Sequence, residues 1–335
     1  MIAARGACIC QSSPRKPGKP KRMVSIRALC LVAVLTALLM AAPAPAAEVQ
    51  ARHDGLSLNG RLLLPEEGGL GPEVTLLIHD TLGSADDREV LTLQQALLAA
   101  GRGSLAITLS LAVNDRRGRF ECARPHLHRH EDGPREIAAW VQWLRQRGAR
   151  CVHLLGLGRG ANQAAWYLDG EAEAAGLLGG DSLLLVRPPI YQRAQAAADF
   201  SRAYGYAPEP LLRHAQRLVQ QDRPRELVFR VDFLHCRDTA VAAGTLLSYY
   251  GDDLRRHTPA LLETPRVPTL LLLDSSEPAA SRTVSELAPR ADGEWLRLQL
   301  LAEPGARPRL EALAAAVLGY FSRRATNLVD SGSPR

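Results

Sequence analysis

After Lys21 the chain contains no lysine, and after His257 it contains no histidine. Its longest apolar run, Ala28 to Met40, is about 13 residues, too short to span a bilayer comfortably, which takes roughly 20. The missing lysines show that the pI of about 9.2 belongs to the front of the chain. Arg5, Arg15, Lys16, Lys19, Lys21, Arg22 and Arg27 precede the apolar run, and small residues ending Ala44-Pro45-Ala46 follow it. A basic start, a short apolar middle and a small-x-small site form a secretory signal peptide. The expected leader is residues 1–46, with cleavage after Ala46 or Ala47 and with Met23 as an alternative start. Without the leader's seven basic residues, Lys+Arg falls from 41 to 34 against 35 acids, so the formal charge moves from +6 to −1. A near-neutral, mixed-sign mature chain carries no electrostatic footprint for nucleic acid.

Half of the six cysteines, Cys8, Cys10 and Cys30, lie in the leader. The odd remainder, Cys122, Cys151 and Cys236, predicts one disulfide and one buried thiol in a periplasmic or secreted protein. Cys151 opens an apolar, strand-like run and is the candidate thiol. Pairing of Cys122 with Cys236 is left open.

The stretch Cys151 to Tyr167 organises the chain. Val152 to Leu155 reads as a buried parallel strand, Gly156, Gly158 and Gly160 punctuate a tight turn, and Ala161, Ala164, Ala165 and Leu168 have helical spacing. Strand, sharp turn and helix serve two motifs. Gly-x-Gly-x-x-Gly/Ala wraps a dinucleotide pyrophosphate, whereas Gly-x-Ser-x-Gly presents a catalytic serine on an elbow. Gly156-Leu-Gly158-Arg-Gly160-Ala161 fits the first literally. The surroundings exclude it: the next strand, Leu183–Val186, ends in Arg187-Pro188-Pro189 and lacks the acid that would hold a ribose. No cofactor is implied.

Val49 to Pro65 predicts a hairpin turning at Asp54-Gly55. Strands follow at Val74–Ile78, Leu105–Leu109, Leu183–Val186, Thr269–Leu273 and Trp295–Leu301. Helices are expected at Arg88–Gly101, Pro134–Arg147, Ser281–Leu287 and Leu310–Phe321. Residues 190–250 read as a mostly helical cap, and 324–335 as a polar, disordered tail. This alternation implies an α/β fold with a doubly wound, mostly parallel sheet. The layout resembles the α/β-hydrolase superfamily over roughly residues 49–323. The supporting residues are the Asp54-Gly55 hairpin, His79-Asp80-Thr81 after the third strand, the Gly156–Gly160 elbow, and Pro268 to Pro278 around the fifth parallel strand.

The resemblance implies a nucleophile at the elbow, then an acid, then a histidine, with paired N–H groups for the oxyanion. The elbow position is Gly158, which has no side chain. Glu277 takes the acid position. No histidine lies beyond it, so a triad in family order is impossible; His257 is the one late substitute and is expected at the surface. Where the superfamily often has His-Gly after the third strand, this chain has His79-Asp80, which puts a carboxylate where negative charge would develop.

Other chemistry is concentrated in Cys122 to Asp132. In an extended segment His126, His128 and His130 share one face, a spacing suited to Zn²⁺ or Cu²⁺; the plain alternative is a solvated loop ahead of the helix at Pro134. Arg159, at the helix start, reads either as an anion contact or as the partner of Asp80 or of Glu131 and Asp132. The groove candidates are thus His79, Asp80, Arg159, His126, His128 and His130. The expected protein is an exported, catalytically inactive hydrolase homologue that binds a small molecule or a protein. The alternatives are a hydrolase with a displaced nucleophile and a metal-binding protein built on the histidine run.

Overall fold

In the computed structural model, residues 46–65, 69–170, 181–275, 278–291, 293–301 and 309–331 are described. All but the last residue of the expected signal peptide lies outside them, as do Glu277 and the segment 302–308 where a late histidine would sit.

β1 (Ala47–His53) and β2 (Leu56–Leu63) pair antiparallel around Asp54-Gly55. Both turn residues have positive φ, 44° and 78°, as a two-residue turn matched to strand twist requires. β3 (Glu73–Ile78), β4 (Gly103–Thr108), β5 (Cys151–Leu157), β6 (Ser182–Val186), β9 (Thr269–Asp274) and β10 (Leu296–Leu301) complete one eight-stranded sheet, in the order β1-β2-β4-β3-β5-β6-β9-β10. Every pair from β4 through β3 to β10 is parallel. Parallel strands covered on both faces need continuous apolar sequence; Leu76, Leu77, Leu154, Leu155 and Leu270 to Leu272 are accordingly buried.

α2 (Asp132–Gln146) and α3 (Arg159–Gly170) cover one face, with Ile137, Trp140, Val141 and Ala161, Ala164, Ala165 turned inward. α1 (Arg88–Ala99) and α9 (Arg309–Ser331) cover the other through Val90, Leu93, Leu97, Leu313 and Val317. Burying each such aliphatic side chain stabilises the fold by roughly 1.5–3 kcal/mol. α9 continues to Ser331, so the polar tail does not begin at residue 324. No proline or glycine occurs in residues 324–331, and polarity alone does not end a helix.

The cap contains its expected helices and, in addition, a β-hairpin absent from the mostly helical expectation. α4 (Arg193–Tyr204) and α5 (Glu209–Gln220) are followed by an antiparallel hairpin, β7 (Leu227–Phe233) with β8 (Cys236–Ala242), and by α6 (Ala243–Tyr250). Phe233, Val241, Leu246 and Tyr249 form a small core of their own with Ala215 and Leu218. The hairpin follows from Leu227-Val-Phe and Val231-Asp-Phe233, whose β-branched and aromatic residues suit a pleated strand.

The long segment between β4 and α2 fastens the cap to the sheet. Cys122 is disulfide-bonded to Cys236 of β8. The His126 amide donates to Ala240 O (2.8 Å), and the Ala242 amide donates to His126 O (2.9 Å). Cys151 is the buried thiol outside the disulfide.

Candidate functional site

The chain leaves β5 at Leu157, turns at Gly158 and enters α3 at Arg159. Gly158 has φ +51°, in the left-handed region that costs an L-residue roughly 1–2 kcal/mol. Two residues on, Gly160 lies so close to His79 O and to Ile78 that a Cβ would overlap them. The elbow geometry is therefore present and tight.

Asp80 occupies its mouth. A Cβ built on Gly158 would overlap the Asp80 carboxylate. Asp80 Oδ1 accepts the Arg159 amide at 2.8 Å, the Thr81 amide at 2.6 Å and the Thr81 hydroxyl at 3.0 Å. In hydrolases of this architecture, the amide after the nucleophile and an amide from the loop after the third strand make the oxyanion hole. Here those two donors already hold a carboxylate, at a helix N-terminus that favours negative charge. Thr81, which supplies one amide and a hydroxyl, had no sequence signal as a site residue.

His79 does not line this mouth. It is buried, its Nδ1 meets Asp80 O at 2.6 Å, and its Nε2 accepts the Leu109 amide at 3.1 Å and faces the Arg116 guanidinium at 3.2 Å. Burial, with Arg116 alongside, pushes its pKa down to about 3, so it is a neutral structural imidazole. Arg116 also donates to Leu109 O, Gly118 O and Gly83 O, which pins the start of the long segment. Nearby, burial pushes Glu136 up to about 7 while it accepts from the Ser110 amide and hydroxyl.

The run 126–130 is extended and alternates as its spacing predicts: His126, His128 and His130 are buried, while Leu127 and Arg129 are exposed. Their common face, however, turns into the protein, against the cap, rather than to solvent. His126 Nδ1 lies 3.3 Å from His128 Nε2, His128 Nδ1 lies 3.0 Å from the Tyr249 hydroxyl, and His130 Nε2 bonds Asn162 Oδ1 at 2.7 Å. Phe120 and Phe233 pack on the first two rings. Desolvation dominates all three: His126 falls to about 4, His130 to about 3, and His128 well below its usual value. Their ring nitrogens do not converge as a metal triad. Among the described residues the one grouping of three potential ligands is Cys122, His235 and Cys236, whose two sulfurs are joined in the disulfide.

Arg159 forms no ion pair with Asp80, Glu131 or Asp132; its backbone, not its guanidinium, meets Asp80, and the guanidinium lies 5.6 Å from the centre of the Tyr249 ring. Glu131 is bound by the Ser248 hydroxyl instead. His257 is not at the open surface. It is half-buried just ahead of the short α7 (Thr258–Leu261), with Nε2 at 2.9 Å from Glu286 of α8 (Pro278–Leu287).

Sheet order, crossover helices, elbow and cap together define the α/β-hydrolase fold. Solved structures agree. Est1E from Butyrivibrio proteoclasticus is similar at a TM-score of 0.56 and 14% identity, over 83% of this chain and 99% of that one. A putative hydrolase from Agrobacterium vitis S4 gives 0.54 and 11%, over 83% and 99%, and the esterase domain of a Rhodothermus marinus protein gives 0.51 and 16%, over 84% and 98%. At such identities the likeness concerns the fold. No protein-family model and no curated protein matches the chain.

Proposed function

We propose that this is a non-catalytic binding or accessory protein built on the α/β-hydrolase fold and exported to the periplasm or beyond. The observation that carries the reading is the Asp80 carboxylate, which sits on the Arg159 and Thr81 amides above a glycine elbow. A tetrahedral intermediate would need those same donors, and Gly158 supplies nothing to attack with. Export is supported by the basic, apolar, small-residue leader and by a disulfide in the mature region, a bond that persists in oxidising compartments. Among the described residues no helix is long and apolar enough to cross a membrane.

Short- and medium-chain aryl esters should not turn over above the uncatalysed rate with the purified mature protein. A displaced-nucleophile hydrolase has one feature in its favour, the His257–Glu286 pair, in which a carboxylate holds one imidazole nitrogen at 2.9 Å. If esters turn over and His257→Ala abolishes the activity, that rival replaces the non-catalytic reading. N-terminal sequencing of native protein tests export, with Ala47 or Glu48 expected first.

A further inference from the structure

Beneath the cap, on the side of β6, the charges do not balance. Arg256 lies in a short 3-10 turn, Leu254–Arg256, on the chain returning from the cap, and is 3% exposed. Its Nε and both terminal nitrogens are buried, and among the described residues no acceptor meets them in full hydrogen-bond geometry, the Tyr191 hydroxyl being the side-chain oxygen that reaches the guanidinium. No other described arginine has its whole guanidinium in this state. The two nearby acids are already taken: Asp253 is held by Arg255 at 2.8 and 3.0 Å, and Asp252 by Arg193 at 2.5 Å. Arg256 stacks instead on Tyr191, 4.1 Å from the ring centre, whose hydroxyl donates towards Tyr250 O and Gly251 O.

A second guanidinium faces the same region. Arg159 lies beside Tyr249, and the charges of both arginines reach His130, which desolvation already keeps neutral. Burial and the charge of Arg159 lower the pKa of Arg256 against the pull of Tyr191 and Asp253. Desolvating a cation without a well-formed acceptor is costly, and Arg159 adds repulsion to a penalty that Asp253 and Tyr191 do not outweigh. An anion placed between the two arginines removes both penalties, and a guanidinium fork matches the planar oxygens of a carboxylate or phosphate. Position agrees with chemistry, since open α/β sheets bind ligands outside the carboxyl ends of their strands. Tyr191 follows β6 there and Arg159 follows β5.

We propose that Arg256 and Arg159 form a recognition site for a small oxyanion, a carboxylate or a phosphate, between the elbow and the cap, with Tyr191 and Tyr249 against the body of the ligand. The guanidinium of Arg256 is sealed from solvent, so uptake requires the cap to lift where Tyr191 bonds Tyr250 and Gly251. The inference deepens the proposed binding role and rests on it for the purpose of the site; its test reads binding and is independent of turnover.

The test uses the whole mature protein, with inorganic phosphate, acetate and benzoate as probes and sodium chloride at matched ionic strength as the reference. At least one probe should raise the melting temperature in proportion to ln[probe] above its Kd, as mass action requires, and should give a saturable isotherm by calorimetry. Preference for phosphate or for benzoate identifies the oxyanion. Arg256→Met should abolish the response, and Arg159→Gln, at a partly exposed position, should weaken it at least tenfold. Arg256→Lys, which keeps the charge but not the fork, should also weaken it. The proposal is overturned if none of the three probes exceeds chloride with the wild-type protein, or if the response survives Arg256→Met. Ester turnover in a protein that still binds a probe through Arg256 would defeat the non-catalytic reading and leave this site standing.

Discussion

The elbow mouth and the histidine run stand in opposite relation to their chemistry. At the mouth Gly158 and Asp80 are residues a catalytic site would not choose, yet Asp80 is exposed and holds two convergent amides at 2.6 and 2.8 Å. The run His126, His128, His130 is dense in reactive side chains, yet all three are buried and neutral, with one or both ring nitrogens bonded to Tyr249, Asn162 or one another. Reactive residue types therefore serve structure where burial suppresses their titration, and an unreactive pair marks the site because its backbone donors converge. The difference also divides the labour. The histidine run with the disulfide holds the cap, and the mouth retains the shape of a hydrolase elbow.

Breaking the anchor should have the largest effect. The Cys122–Cys236 bond spans 114 residues, a loop for which chain entropy suggests about 4–5 kcal/mol. The Cys122→Ala, Cys236→Ala double variant should lose an amount of that order in denaturant unfolding, with the cap released. A loss under about 1 kcal/mol would show that the histidine run does not depend on the covalent tie.

Acid attacks the same region. His79, His126 and His130 have folded pKa values of about 3 to 4, and His128 and His153 are lowered as well. The unfolded chain therefore binds more protons at these sites below pH 6.5, the usual histidine value, and stability falls as pH falls. Glu136, raised to about 7, and Asp181, raised to about 6, act in the opposite sense because the folded state holds their protons. Asp132 is raised too, but the lowered histidines outnumber the raised acids, so the unfolded chain holds the excess of protons and stability falls between pH 6 and 5. Flat stability over that range would mean that the run is hydrated and charged in solution.

At the mouth, Gly158→Ser should cost about 2–4 kcal/mol, combining left-handed strain with eviction of Asp80. Gly205 also has positive φ, +81°, but open space around it, so Gly205→Ala should cost only about 1–2 kcal/mol. Equal costs would remove Asp80 from the account, and partial rescue of Gly158→Ser by Asp80→Gly would secure it. The smallest effect belongs to Asp80→Asn, at an exposed carboxylate, about 1 kcal/mol by thermal melting.

The sheet was legible because its strands are short apolar runs separated by strong turn signals, Asp54-Gly55 and Gly156 to Gly160 above all. The missing elbow nucleophile and the carboxylate at Asp80 were equally visible, as was the shared face of His126, His128 and His130. Which way that face points was not, because an alternating run fits a solvent face or a core face, and only the cap hairpin opposite it decides. Thr81 and Arg256 were hidden for a similar reason. One contributes mainly a backbone amide, and the other is distinguished by a buried guanidinium with no well-aligned acceptor among the described residues, a property of packing rather than of residue type.

On the proposed function, the elbow carries no chemistry of its own. Intact-mass analysis of the mature protein after exposure to an organophosphorus probe for activated serines tests it most directly. An unchanged mass is expected, with Gly158 at the elbow and Asp80 on its amides. A single stoichiometric adduct mapping to a serine within reach of the Arg159 and Thr81 amides would contradict it.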